Sequence, residues 1–119
     1  MRFPLLLFIA LSVLGIAAQK TDAETFYYFC TSHSKNPQKT DGKQYILLTE
    51  VKAIKTEEAT FKKMAKEWQN MVDQRCKNDQ GCTGNLNYYT DKESAQAQLE
   101  IVKKLYKDPS RFIVQKVNF

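Results

Sequence analysis

The sequence has one histidine, one tryptophan, three cysteines and only four glycines. It contains no glycine-rich phosphate loop, no Gly-x-Ser-x-Gly elbow, no His-Glu-x-x-His pair and no calcium loop, so the commonest readable enzyme chemistries have no residues to work with. Internal repeats, low-complexity tracts and linkers rich in proline, glycine or serine are all missing, which leaves one folding unit as the simplest organisation. Asn-x-Ser/Thr sequons are also absent. Beyond Leu14 there is no long apolar run, and a membrane-spanning helix needs about 20 predominantly apolar residues.

What the first residues do carry is the pattern of an export signal. Met1-Arg2 is a short basic start, Leu5 to Leu14 is an apolar run, and Gly15-Ile16-Ala17-Ala18 offers the small residues a signal peptidase accepts. Residues 1–18 are therefore predicted to be a cleaved signal peptide and residues 24–119 a single small α+β domain. Cleavage after Ala23 is the alternative. No cysteine stands beside either cut to accept a lipid, so the mature chain is expected to be exported, periplasmic or secreted, with no membrane anchor after cleavage.

Lys and Arg number 18 against 13 Asp and Glu, a formal net charge of +5. The lysines are scattered as Lys62-Lys63, Lys103-Lys104 and single residues. Nucleic-acid binding would concentrate them in a stripe with readable motifs, so no nucleic-acid partner is expected and a solvated lysine face is the better reading.

The cysteine count is odd. Cys76 and Cys82 flank the polar stretch Lys77-Asn78-Asp79-Gln80-Gly81, which can turn back on itself, and thiols outside the cytoplasm tend to pair. A Cys76–Cys82 bridge is expected. Cys30 is then left over, either buried as a small hydrophobe or available for pairing between chains. Pairing of Cys30 with Cys76 or Cys82 is the rival arrangement.

Hydrophobic periodicity places the elements. Thr25 to Cys30 and Gln44 to Ile54 read as strands, the latter with Tyr45, Leu47 and Val51 on one face and Ile46 and Leu48 on the other. The polar segment Thr31 to Lys43 between them reads as a long hairpin loop. Phe61, Met64, Ala65, Trp68, Met71, Val72 and Cys76 recur at helical spacing, with Thr56 as the predicted cap, Glu57-Glu58 at the positive end of the dipole, and Trp68 in the core. Leu86 to Tyr89 reads as a third strand. Thr90-Asp91-Lys92-Glu93 has the form of a capping box opening a second helix with Ala95, Leu99, Val102 and Tyr106 in line. Asp108-Pro109-Ser110 stops that helix, and Phe112 to Val117 reads as a closing strand. The predicted fold class is α+β: about four mostly antiparallel strands with two amphipathic helices packed on one face of the sheet, the other face at least partly open.

Tyr27, Tyr28, Tyr88 and Tyr89 fall on predicted strands and are the candidate binding residues, since tyrosines on an open sheet face beside lysines can stack on sugars or take a peptide. Cys30 and His33 are the only residues resembling a nucleophile and base. An extended strand points them to opposite faces. A zinc site wants four ligands, and the two other cysteines are better used as a bridge, so no metal and no cofactor is expected. Glu50, Asp73 and Asp91 read as surface charge.

Two resemblances add to this reading. The run Asn87-Tyr88-Tyr89-Thr90-Asp91-Lys92-Glu93-Ser94-Ala95, a helix, then Phe112-Ile113-Val114-Gln115-Lys116-Val117 resembles the second half of sporulation-related repeat (SPOR) domains. Tyr27-Tyr28-Phe29-Cys30 is similar to the Tyr-Tyr-x-Cys of a family of small exported bacterial proteins. The SPOR resemblance implies a ferredoxin-like sheet and affinity for peptidoglycan glycan strands. It covers about a third of the chain, and the first half departs from it, with the loop Thr31 to Lys43 where those domains place a helix. The leading functional expectation is a non-enzymatic binding module contacting a cell-envelope glycan or a protein. An inhibitor or immunity-type protein acting on a secreted enzyme is the alternative, and a small thiol enzyme using Cys30 and His33 is the third.

Overall fold

One long strand, rich in aromatic and β-branched residues, organises the molecule. The computed structural model describes residues 23–119, so the predicted signal peptide lies outside the described residues. In chain order the elements are β1 (Glu24–Ser34), β2 (Gln44–Leu48), β3 (Lys52–Thr56), α1 (Thr60–Arg75), β4 (Cys82–Tyr89), α2 (Lys92–Leu105) and β5 (Phe112–Lys116). β1 is central. It pairs antiparallel with β4 along one edge, and on the other with β3 at its start and β2 further on, while β5 adds parallel to β2.

The α+β class and the mostly antiparallel sheet are as the sequence predicts. Four principal strands are present because β2 and β3 are two halves of the single strand read at Gln44 to Ile54. Leu48 faces Thr31 and Lys52 faces Tyr28, so Thr49, Glu50 and Val51 stand against only Phe29 and Cys30. This is a β-bulge, one extra residue on one strand. Thr49 stitches it together: its N–H donates to the Cys30 carbonyl at 3.0 Å, and its Oγ1 accepts from the Cys30 N–H at 2.8 Å. The extra residue shifts every later side chain to the other face. Val51, expected beside Leu47, instead packs with Leu48.

The helices divide between the two faces, which corrects the expectation that both share one. Phe26, Tyr28 and Cys30 of β1 pack with Phe61, Trp68 and Val72 of α1. Phe29, the alternate residue, packs with Leu48 and with Leu99 of α2. The cause is topological. β2, β3, β4 and β5 all run antiparallel to β1 and so parallel to one another. The crossover through α1 runs from β3 across β1 to β4, and the crossover through α2 returns from β4 across the sheet to β5. Crossovers between parallel strands are right-handed, and two of them travelling in opposite directions must lie on opposite faces.

Local chemistry sets the ends. α1 begins at Thr60 after a turn in which the Thr60 and Phe61 N–H groups donate to Glu57 and Glu58 carbonyls, while Thr56, its predicted cap, closes β3. The cap of α2 is Asp91, one residue later than predicted, with its Oδ1 accepting the Ser94 N–H at 2.7 Å. α1 settles directly on β4 at Gly84, where a Cβ would come within 2.9 Å of Trp68 and 3.0 Å of Val72. Trp68 is fully buried and its Nε1 donates to the Thr31 carbonyl at 2.7 Å.

The disulfide joins Cys76 and Cys82, and Cys30 is a free, buried thiol. The short loop it closes has a structural task at the end of the sheet where β1 and β2 part. Asn78 enters that gap as a substitute strand: its Oδ1 accepts from the Tyr45 N–H at 2.8 Å and its Nδ2 donates to the Tyr45 carbonyl at 2.9 Å. Ser32 Oγ takes the next donor, the Leu47 N–H, at 3.0 Å.

Candidate functional site

The four tyrosines do not form one surface. Tyr27 faces Tyr89 and Tyr28 faces Tyr88 across the β1–β4 ladder, so strand alternation sends one pair to each side of the sheet. Tyr28 is buried beneath α1 and its hydroxyl donates to the Phe119 carbonyl at 3.0 Å. Tyr88 is 38% exposed, but one ring face lies stacked on Phe61 at 4.2 Å and its hydroxyl donates to Glu58 at 2.7 Å. Tyr89 lies parallel to Phe29 at 6.2 Å, on the α2 side.

Cys30 and His33 also stay apart. β1 continues straight through Ser34, so the two side chains leave on opposite faces, as an extended chain requires. Burial pushes the Cys30 thiol up to about 12, against a smaller downward pull from Lys52. The His33 Nδ1–H donates to the Ser34 carbonyl at 2.9 Å. This geometry holds the sulfur as a thiol, out of reach of the imidazole. Among the described residues no three His, Cys, Asp or Glu side chains converge as a metal site requires.

An apolar recess lies elsewhere, between the second half of α2 and the strands β2 and β5. It is an open cleft of about 440 Å³. Leu48, Phe112 and Val114 form its floor and Val102, Tyr106 and Pro109 its wall. Tyr106 meets Phe112 edge-on with ring centres 5.0 Å apart. Lys103, Lys107 and Lys116 stand around the mouth. The bulge aims Glu50 at this rim, where its carboxylate lies 2.7 Å from Lys116 and 3.7 Å from Lys103. The bond from Lys116 is the main reason this carboxyl is held below the usual carboxylate range. Two of the three lysines, Lys103 and Lys116, thus share the Glu50 carboxylate at the edge of an apolar recess, and Lys103 also lies 3.7 Å from Glu100.

Sequence reading missed this site. Val102 and Tyr106 are legible as a helix stripe and Phe112 to Val117 as a strand, but nothing in the order of residues puts β5 beside α2. The turn that does so is held by Asp108, whose Oδ1 accepts from Ser110 N–H and Oγ and whose carbonyl accepts from the Arg111 and Phe112 N–H groups. The available signal was the alternation Phe112-x-Val114-x-Lys116 with Lys103 and Lys107 one helical turn apart.

A second exposed feature is the hairpin loop between β1 and β2. It is internally braced: Ser34 Oγ and Thr40 Oγ1 are 2.5 Å apart, the Asn36 carbonyl accepts from Lys39 N–H and Thr40 Oγ1, and Lys35 N–H donates to Gly81 of the disulfide loop. Pro37, Gln38 and Lys39 project from that brace into solvent. No protein-family model, curated protein or solved structure matches the chain.

Proposed function

We propose that the protein is an exported, non-enzymatic binding module that receives a protein partner in the cleft between α2 and β5. The observation that carries this reading is the cleft itself, apolar within and ringed by lysines, the form a recognition site takes. Export is supported by the basic and apolar leader in the sequence and by a disulfide that is stable in an oxidising compartment. Among the described residues no helix is long and apolar enough to cross a membrane. A glycan partner is the less favoured occupant, because a sugar platform needs exposed rings on one surface and the tyrosines are divided between two.

Photo-cross-linking in producing cells tests the proposal. Benzoylphenylalanine at position 107, beside the cleft, is expected to give an adduct of discrete mass, and the same probe at position 66, on the outer side of α1, is expected to give none. Absence of an adduct at 107 would remove the cleft as the site. Co-sedimentation with purified peptidoglycan sacculi that survives Val114→Glu would return the glycan reading in its place.

The braced loop supports a second reading, an inhibitor or immunity-type protein that inserts Pro37-Gln38-Lys39 into a secreted enzyme. Replacing these three residues by glycines would abolish such inhibition and leave the fold intact.

A further inference from the structure

The free edge of the sheet beside the cleft points to the kind of partner, an inference that rests on the binding-module reading above. Among the described residues β5 pairs with β2 alone. At the two ends of that ladder Gln44 N–H donates to the Arg111 carbonyl and Val117 N–H to the Leu48 carbonyl. Backbone groups of alternate strand residues point to opposite edges, so Val114 and Lys116 turn their N–H and C=O groups outward. The opposite edge of the sheet is treated differently. There Gln69 on α1 accepts from the Gly84 N–H at 2.7 Å and donates to the Cys82 carbonyl at 3.3 Å, blocking β4 with a side chain.

We infer that the β5 edge takes an extended acidic segment of a partner protein as an added strand. The side chains of Val114 and Lys116 rise from this edge onto the α2 face, so alternate side chains of an added strand would extend the floor of the cleft. Charge selects the occupant. Lys103, Lys107 and Lys116 line the cleft and Arg111 lies over the Phe112 ring. These four cations stand against three carboxylates, Glu50 paired with Lys103 and Lys116, Glu100 with Lys103, and Asp108 near Arg111, so the excess charge is positive. A second copy docked edge to edge would bring two such basic sets together, whereas an acidic strand meets them with opposite charge. Strand addition draws its affinity from main-chain hydrogen bonds and its selectivity from alternate side chains, which matches an edge with open backbone groups beside a cleft.

The test is amide NMR on the whole mature protein with three acetylated octapeptides. One alternates valine and glutamate, one alternates valine and lysine, and the third is the glutamate peptide N-methylated at every second residue. The first is expected to shift the Val114 and Lys116 amides saturably and slow their hydrogen exchange. The lysine and N-methylated peptides are expected to bind at least about tenfold more weakly, and Lys103→Glu with Lys107→Glu to reverse the preference of charge. Equal binding of the N-methylated peptide would overturn strand addition while leaving the cleft a binding site. Dilution of the protein alone moving the same amides would show a second copy as the occupant, and also overturn it. Absence of any response, alongside a cross-link at position 107, would reject the acidic strand and spare the binding module; absence of both would reject the two together.

Discussion

Asn78 and Cys30 show how single residues hold this fold. Asn78 supplies both a donor and an acceptor to Tyr45, and its removal leaves those half-buried backbone groups without their partners. Asn78→Ala is expected to cost about 1–3 kcal/mol in urea unfolding, while Asp79→Ala in the same loop stays near wild type. Cys30 is expected to resist iodoacetamide until the chain unfolds. Its thiol is held at about 12 when folded, whereas a cysteine in the unfolded chain titrates near about 8.5. The unfolded state therefore gives up the proton first as pH rises. Stability from the buried thiol is complete below about pH 8.5 and is lost progressively toward about 12, so wild type should lose stability more steeply than Cys30→Ala across that window. Equal slopes would mean the thiol is not buried in solution. Among the candidate tyrosines, Tyr88→Ala removes the stack on Phe61 and the bond to Glu58, and is expected to cost about 1 kcal/mol in thermal unfolding. Partner capture at position 107 should be unchanged by it.

At the scale of elements, the order of two strands, helix, strand, helix and strand was legible because periods of two and of 3.6 leave clear marks in the apolar residues. Boundaries were less so, and α2 shows why. Thr90 and Asp91 are both good caps, and the choice between them depends on where β4 stops, which is a property of its pairing with β1. Asp91→Ala is expected to lower stability by about 1 kcal/mol and Thr90→Ala by much less, a contrast that thermal denaturation resolves. The bulge was invisible for a similar reason. Thr49-Glu50-Val51 has ordinary strand composition, and only the partner strand reveals that three residues stand against two. The seating of α1 on β4 is equally a matter of partners. Gly84→Ala forces Trp68 and Val72 to move and should cost roughly 1–3 kcal/mol, as overpacking in a tight core does.

For the whole molecule, the bridge between Cys76 and Cys82 ties the end of α1 to the start of β4 and carries Asn78 into the sheet. Replacing both cysteines by serine is expected to cost about 2 kcal/mol from loop entropy, and more if Asn78 leaves its place, as shown by loss of hydrogen-exchange protection at Tyr45. The same overall arrangement makes the cleft. Returning from β4 to β5, the chain must cross the face that α1 does not occupy, and α2 covers the middle of that face, leaving a recess toward β5. By itself the sequence determined the α+β class, the elements and their order, the bridge and the core role of Trp68, because these follow from local spacing, turn chemistry and the distance between two thiols along the chain. Only the tertiary structure decided that the tyrosines part to opposite faces, that the helices do the same, and that lysines from α2 and β5 meet around one apolar recess. Those facts depend on which strands are neighbours and in which direction each crossover travels, and hydrophobic patterning, being local, does not encode either.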